Sequence, residues 1–171
     1  MEIRDLIRRF ETEHDRFTKV SYNETQLRTD FLDPFFTMLG WDITNMQGKP
    51  TNEREVLVEE GLRSEANENT KKPDYTFRLY GERKFFLEAK KPCVDIKNDD
   101  EPAKQVRRYG YTAGLKISVL SNFEDLFIYD KTNPSNMYTI ADFFDTDGNI
   151  RTYYYYTNDG NGGIGQGNST F

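Results

Sequence analysis

At 171 residues the chain suits one domain, and 36% hydrophobic content with many aromatics supplies a core, which excludes disorder by composition despite 30% charge. No apolar run nears the ~18 residues of a membrane span, the segment MEIRDLIRRFETEHDRF mixes charge into a helical pattern unlike a signal peptide, and Cys93, the single cysteine, rules out an internal disulfide or a Cys-rich zinc site. The net charge of −6 counts against a free-standing, non-specific DNA binder, since phosphate binding rests on lysine and arginine, but it suits a protein whose carboxylates hold metal.

In chain order, Ile3, Leu6, Ile7 and Phe10 recur at helical spacing, predicting a helix over residues 2–18. A second begins near Ser21, with Leu27, Phe31, Phe35 and Leu39 at fourfold steps. Pro34 should kink or split it, and Gly40 ends it before Trp41. Residues 54–60 read as a strand and 61–72 as a polar loop. Strands at 74–80 and 84–90 form a hairpin with Gly81 and Glu82 at the turn. Asp99, Asp100 and Pro102 start a helix that runs to about Ala113 and closes at Gly114. Residues 116–121 and 125–130 read as strands. The aromatic run Tyr153–Tyr156 and the glycines from Gly160 to Gly167 read as a linker or frayed end, so the domain is expected over 1–150 and the tail over 151–171. Together these elements predict an α/β domain with a mixed central sheet flanked by helices.

The stretch KPDYTFRLYGERKFFLEAKKP, residues 72–92, carries the chemistry. Glu88 and Lys90 are two apart on a strand and share a face, and the hairpin brings Asp74 beside Glu88. Two carboxylates and an ammonium in one small site suit metal-assisted phosphodiester hydrolysis. A divalent cation neutralises phosphate charge and lowers the pKa of a bound water. Magnesium needs only one or two carboxylates, because it keeps several waters. Asp74 and Glu88 would hold it, helped by the Ala89 carbonyl. Lys90 would orient the water, or assist its deprotonation if its own pKa were depressed. The competing reading is an edge-strand salt bridge between Glu88 and Lys90. Against it, FFLEAK is otherwise apolar, and charge is costly to bury without a purpose.

Pro73-Asp74 followed by Glu88-Ala89-Lys90 resembles the PD-(D/E)xK nuclease motif. The wider wording, with NETQLRTDFLDPFFTMLGWDI over 23–43, QVRRYGY over 105–111 and LSNFEDLFIYD over 120–130, is similar to the nuclease domains of type IIG and type I restriction enzymes. The resemblance covers residues 23–130 in the family's order. It implies a restriction-endonuclease-like core and a Mg2+-dependent endonuclease, with Mn2+ as substitute and double-stranded DNA as substrate. It also implies a bacterial or archaeal cytoplasm. Glu24 matches the acidic residue of the family's first core helix, an added metal contact. Gln105 and Tyr109 match a Gln-x-x-x-Tyr motif on the helix after the lysine.

Each residue has a plainer reading. Glu24 also suits a capping box with Ser21, or a pair with Arg28. Tyr109 also suits the core beside Val106 and Ala113. Lys71, Lys72, Lys91, Arg107 and Arg108 suit either a phosphate rim or a solvated face. His14 is the single histidine, so no His-centred triad can be built, and no P-loop occurs. In this family, methyltransferase, target-recognition or translocase parts lie in the same longer chain or in partner subunits, and dimerisation on DNA is expected. The alternatives are a stand-alone small nuclease and a catalytically inactive binding module of the same fold.

Overall fold

The computed structural model describes residues 2–61 and 72–132, with the backbone at 137–138, 153–156 and 164–167. Two compact units divide the chain, 1–138 and 139–171. The boundary expected at residue 150 lies outside the described residues, as does most of the polar loop expected at 61–72. In the second unit, strand Tyr153–Tyr156 pairs antiparallel with Ile164–Gly167.

In the first unit, α1 (Ile3–Thr12) buries Leu6 and Phe10. The helix expected to run to residue 18 breaks at Glu13 (φ −110°, ψ 23°) and resumes as α2 (His14–Phe17). The apolar stripe lapses there. One turn beyond Phe10 the core-facing positions hold Glu13 and His14, so tertiary packing does not enforce the turn. Phe17 restores the stripe and stacks on Phe10 at 5.8 Å between ring centres.

The second helical stretch is three segments in series. Asn23 caps α3 (Glu24–Leu27): its side chain accepts from the Gln26 amide, and the Gln26 side chain accepts from the Asn23 amide. The capping box is therefore set by Asn23 and Gln26, which releases the Glu24 side chain from that duty. A π-helical turn follows at Arg28–Leu32, then α4 (Asp33–Met38). Pro34 explains the π turn. It has no N–H to offer the Asp30 carbonyl, and its ring would crowd that carbonyl in a regular helix. The Asp33 amide bonds Arg28 five residues back, and the freed Asp30 carbonyl accepts from Arg9 at 3.5 Å.

The sheet has six strands in sequential order: β1 (Val56–Val58), β2 (Tyr75–Leu79), β3 (Glu82–Ala89), β4 (Ile117–Ser121), β5 (Leu126–Asp130) and β6 (Met137–Tyr138). Only β3 and β4 are parallel, joined by the crossover helix α5 (Asp100–Thr112). β1 is shorter than expected because Glu59 takes a positive φ of 51° and turns the chain out of the ladder. Asp99 caps α5 by accepting from the Glu101 amide, and Gly114 follows its C-cap at φ 71°.

Strand alternation gives the sheet two buried faces. Phe85 and Phe77 stack at 4.4 Å and meet Trp41 and Phe36 on the side of the N-terminal helices. Phe31 sits among Phe10, Phe17 and Phe123 on that side, with ring centres 4.7–5.2 Å away. On the other face Phe86, Leu120 and Phe127 pack with Ile96 and with Val106 and Tyr109 of α5. α5 lies close on the sheet: a Cβ at Gly110 would collide with Ser118 Oγ unless that hydroxyl turned away, a crowding that glycine avoids.

The hairpin turn is one residue earlier than expected. Leu79 pairs with Glu82, leaving Tyr80 (φ 54°) and Gly81 (φ 79°) as the loop. A two-residue loop with both central residues at positive φ matches the twist of its strands. Tyrosine is strained there and fully exposed (101%). Tyr80→Asn should therefore raise stability by about 0.5–1 kcal/mol, and Gly81→Ala should lower it by about 1–2 kcal/mol. Urea melts of the two variants check both signs.

Candidate active site

Asp74 stands one residue before β2, and strand register decides what it meets. Tyr75 lies opposite Leu87, so the next step places Asp74 across from Glu88. Opposed residues of an antiparallel pair share a face. Asp74 Oδ2 accepts the Ala89 amide at 2.7 Å, which ties the carboxylate to the β3 backbone. Asp74 Oδ1 accepts from Arg28 at 3.2 Å. The π turn begins at Arg28, so the helical irregularity forced by Pro34 sits beside the site.

Glu88 and Lys90 stay together, with Lys90 Nζ donating to Glu88 Oε1 at 2.7 Å. Their side chains are 5% and 16% exposed. Gln105 reaches across from α5 and donates to the same Oε1. Its Nε2 also lies 3.1 Å from the Tyr109 hydroxyl. Tyr109 thus combines both readings, with its ring in the core and its hydroxyl at the site. Glu88 Oε2 is buried and has no hydrogen-bond partner among the described residues.

Burial raises the Glu88 carboxyl above its ordinary pKa. Lys90 pulls it back, while Asp74 and Glu24 push it further up. Burial alone would depress the Lys90 ammonium, but Glu88, Glu24 and Asp74 outweigh it and hold its pKa above the usual lysine value. The condition for Lys90 to act as a base is therefore not met in this arrangement. Arg28 is half-buried over the Tyr75 ring at 4.7 Å. Burial opposes its charge, and Tyr75, Asp74 and Glu59 together more than offset that.

Glu24 stands close enough to act on both Glu88 and Lys90 through charge, but its side chain makes no hydrogen bond or ion pair among the described residues. Arg28, its proposed partner, pairs with Asp74 and Glu59 instead. Lys72 is exposed. Lys91 is half-buried and donates to the Val20 carbonyl at 3.4 Å. Arg107 and Arg108 are exposed on α5, and Lys71 lies outside the described residues. A cleft of about 490 Å³ opens beside Lys90 and Gln105, with Lys104 and Arg108 on its wall.

Sequence reasoning missed the Arg28 clamp on Asp74, the Glu59 carboxylate 3.3 Å from Arg28, and the Tyr75 hydroxyl donating to Asp33 at 2.6 Å. These contacts join residues 31 to 46 positions apart, and no local spacing marks them. The one available signal was Arg28 itself, a cation among the acidic and apolar residues of 24–38.

The donor set fits a hard divalent cation. Glu88 Oε2 is an anionic oxygen with its lone pairs unused. Asp74 stands across the ladder from it and offers a second carboxylate. No cluster of three or more His, Cys, Asp or Glu able to hold a metal occurs among the described residues, which argues against an all-protein cage. A cation that takes one or two carboxylates and keeps its waters matches such a pair.

A mixed sheet between helical layers, with an Asp and a Glu-x-Lys pair where the hairpin opens, defines the restriction-endonuclease-like class of α/β core. The chain belongs to the family of the type I restriction enzyme R protein N terminus, whose model matches residues 51–137. It is also similar to the type II restriction enzyme and methyltransferase RM.Eco57I of Escherichia coli, 68% identical over 132 residues. That match covers 77% of this chain but 13% of the relative, so the chain spans about an eighth of its length. No solved structure matches.

The raised Glu88 pKa sets a pH dependence when divalent cations are chelated. A carboxyl whose pKa is higher folded than unfolded contributes stability that is present below its unfolded pKa and lost as pH rises through its folded one. The melting temperature of the chelated chain should fall as pH rises from the ordinary glutamate range through Glu88's higher value. In Glu88→Gln that component should disappear. Parallel profiles for the two proteins would mean that Glu88 titrates normally.

Proposed function

We propose that this chain is the DNA-cleaving domain of a restriction-modification enzyme, hydrolysing phosphodiester bonds with Mg2+, or with Mn2+ in its place. The observation that carries the reading is the unpartnered, buried Glu88 Oε2 beside Asp74 and Lys90. A carboxylate oxygen hidden from water without a donor is costly unless a cation completes it. Asp74 and Glu88 would hold the ion, with the Ala89 carbonyl as a further oxygen donor; Glu24, which does not complete a three-carboxylate cluster with them, would act at longer range through one of the ion's waters. When bound, the ion supplies charge neutralisation at the phosphate and a more acidic water.

The remaining roles belong to the chain's own groups. Lys90 keeps its proton, so it acts as a donor that orients the water or bonds a phosphate oxygen. Gln105 and Lys90 share Glu88 Oε1 and thereby fix which carboxylate oxygen stays open. The Ala89 amide and Arg28 hold Asp74 from two sides, so its carboxylate does not have to reorganise when the substrate arrives. Lys72, Lys91, Arg107 and Arg108 would supply phosphate contacts, and Tyr109 would steady Gln105. The relative's name joins a restriction enzyme to a methyltransferase, which supports a setting in which this domain works with a methyltransferase part; target-recognition or translocase parts, and pairing on double-stranded DNA to cut both strands, extend that reading.

Nicking of supercoiled plasmid with Mn2+ tests the reading, in the longer enzyme if the 171-residue chain needs its partner parts to cut. Lys90→Ala should lower cleavage by roughly 10²–10⁴-fold, the scale of losing a positioned proton donor or acceptor. Mn2+ affinity should survive or rise, because a nearby positive charge has gone. Asp74→Ala should lose both. If Lys90 only braces Glu88, Lys90→Ala will melt earlier while its activity per folded molecule stays near wild type.

The same reading makes metal a stabiliser of the fold by mass action. At near-neutral pH, Mn2+ at about 100 times its dissociation constant should add roughly 2.7 kcal/mol to the wild type. The Asp74→Ala melt should not move. An unchanged wild-type melt would count against an assembled ion site.

A further inference from the structure

A second cleft, of about 510 Å³, lies on the outer side of α5 and against β4 and β5. Its walls carry Arg107, Arg108, Tyr111, Lys116, Tyr129 and Lys131. Among the described residues no acidic side chain lines it, although Asp100 acts on Tyr129 through charge and the chain as a whole has a net charge of −6. Among the described residues Arg107, Arg108, Lys116 and Lys131 form no ion pair with a carboxylate. Two of them face aromatic rings instead: Arg107 lies 5.7 Å from the centre of Tyr129, and Lys131 Nζ lies 4.4 Å from that of Tyr111. Tyr111 is 71% exposed, so one side of a large ring is offered to solvent. Clustered cations without counter-charges repel one another, and a polyanion relieves that repulsion while releasing its own condensed counterions.

Lys104 and Arg108 line this cleft and also the cleft beside Lys90 and Gln105. The groove therefore adjoins the cleft beside the candidate active site through Arg108, although Asp99 and Glu101 also line the latter. We infer that the groove is a track for the phosphodiester backbone of the DNA flank that leads away from the cleaved bond. The inference rests on the reading of the chain as a DNA-cleaving domain and adds to it a second, non-catalytic contact surface. A nucleic acid suits it better than an acidic protein segment, because cations interleaved with exposed tyrosine provide for both parts of a nucleotide. Phosphates meet the lysines and arginines, and a base face meets Tyr111. Lys104 contributes less, because Glu101 already holds it at 3.1 Å.

The test is fluorescence anisotropy of the full chain with labelled single-stranded and duplex oligonucleotides in EDTA, over a salt series. Arg107→Ala/Lys116→Ala/Lys131→Ala should weaken binding at least about tenfold at low salt, with a log–log salt slope shallower by about two to three. Lys116→Glu, a single exposed change, should weaken it in the same direction and carries the test if the triple variant melts early. The same losses should appear in a Lys90→Ala background, because the track does not depend on catalysis. A Tyr111→Ala loss confined to the single strand would assign the track to an unpaired flank, and equal losses on both probes would assign it to a duplex; either supports the track. An unaltered affinity and slope in the triple variant overturns the inference, as does failure of the wild type to bind either probe at low salt. Groove-dependent binding of poly-L-glutamate without groove-dependent binding of DNA also overturns it, and makes the surface a dock for an acidic protein segment. Lys90-dependent nicking with groove-independent DNA binding overturns the track and leaves the hydrolytic reading standing. Groove-dependent DNA binding without Lys90-dependent nicking does the reverse.

Discussion

Glu88 is a carboxylate at the end of a strand that is apolar on both faces, and most of the site follows from keeping it there. Buried charge is tolerated when it is paired and hydrogen-bonded. Lys90 provides the pair and Gln105 the hydrogen bond, both at Oε1. That requirement links the end of β3 to α5, so the crossover helix is part of the site as well as a cover for the sheet. Asp74 brings a second negative charge from across the ladder. Arg28 meets it, and Tyr75 and Glu59 in turn hold Arg28. Charge is thus balanced locally from both faces of the sheet, except at one oxygen, Glu88 Oε2.

The elements nearest this constraint were the most legible in the sequence. Alternation through FFLEAK fixed which side Glu88 and Lys90 would take, because the period of a strand leaves only two choices. Asp99 and Gly114 bounded α5 because a cap and a positive-φ stop have local chemical signatures. The lapses were equally physical. The break at Glu13 comes from packing that one turn does not receive. The turn at Tyr80 and Gly81 was misplaced by one residue because tyrosine is a poor advertisement for positive φ. The bulge between Phe77 and Arg78 absorbs an extra residue in β3 and keeps the distal half of the hairpin in register. The Arg28 clamp needed the tertiary fold, since its partners Glu59 and Asp74 lie just past β1 and just before β2.

Net charge invites the conclusion that this chain avoids nucleic acid, but the sum conceals how the charge is distributed. The acidic groups counted in it include those of the buried site, where lysine and arginine accompany them. Arg107, Arg108, Lys116 and Lys131, which pair with no carboxylate among the described residues, are gathered beside α5, toward β4 and β5. What a polyanion meets is the local potential within about a Debye length, roughly 10 Å at 0.1 M salt, and not the total over the chain. Charge separated in this way favours one orientation of approach, which a uniformly basic surface would not do.

The lysine in such a site has been open to two roles, base and donor, and the surroundings decide between them. A base needs its neutral form near neutral pH, which burial among apolar groups or beside another cation produces. Lys90 has partial burial, and among the described residues three carboxylates act on it: Glu88 in contact, Glu24 and Asp74 at longer range. Their field favours the ammonium. In the proposed reaction Lys90 would therefore act by direction: Glu88 Oε1 anchors one of its donors, and the others would be free to meet an incoming water or phosphate oxygen.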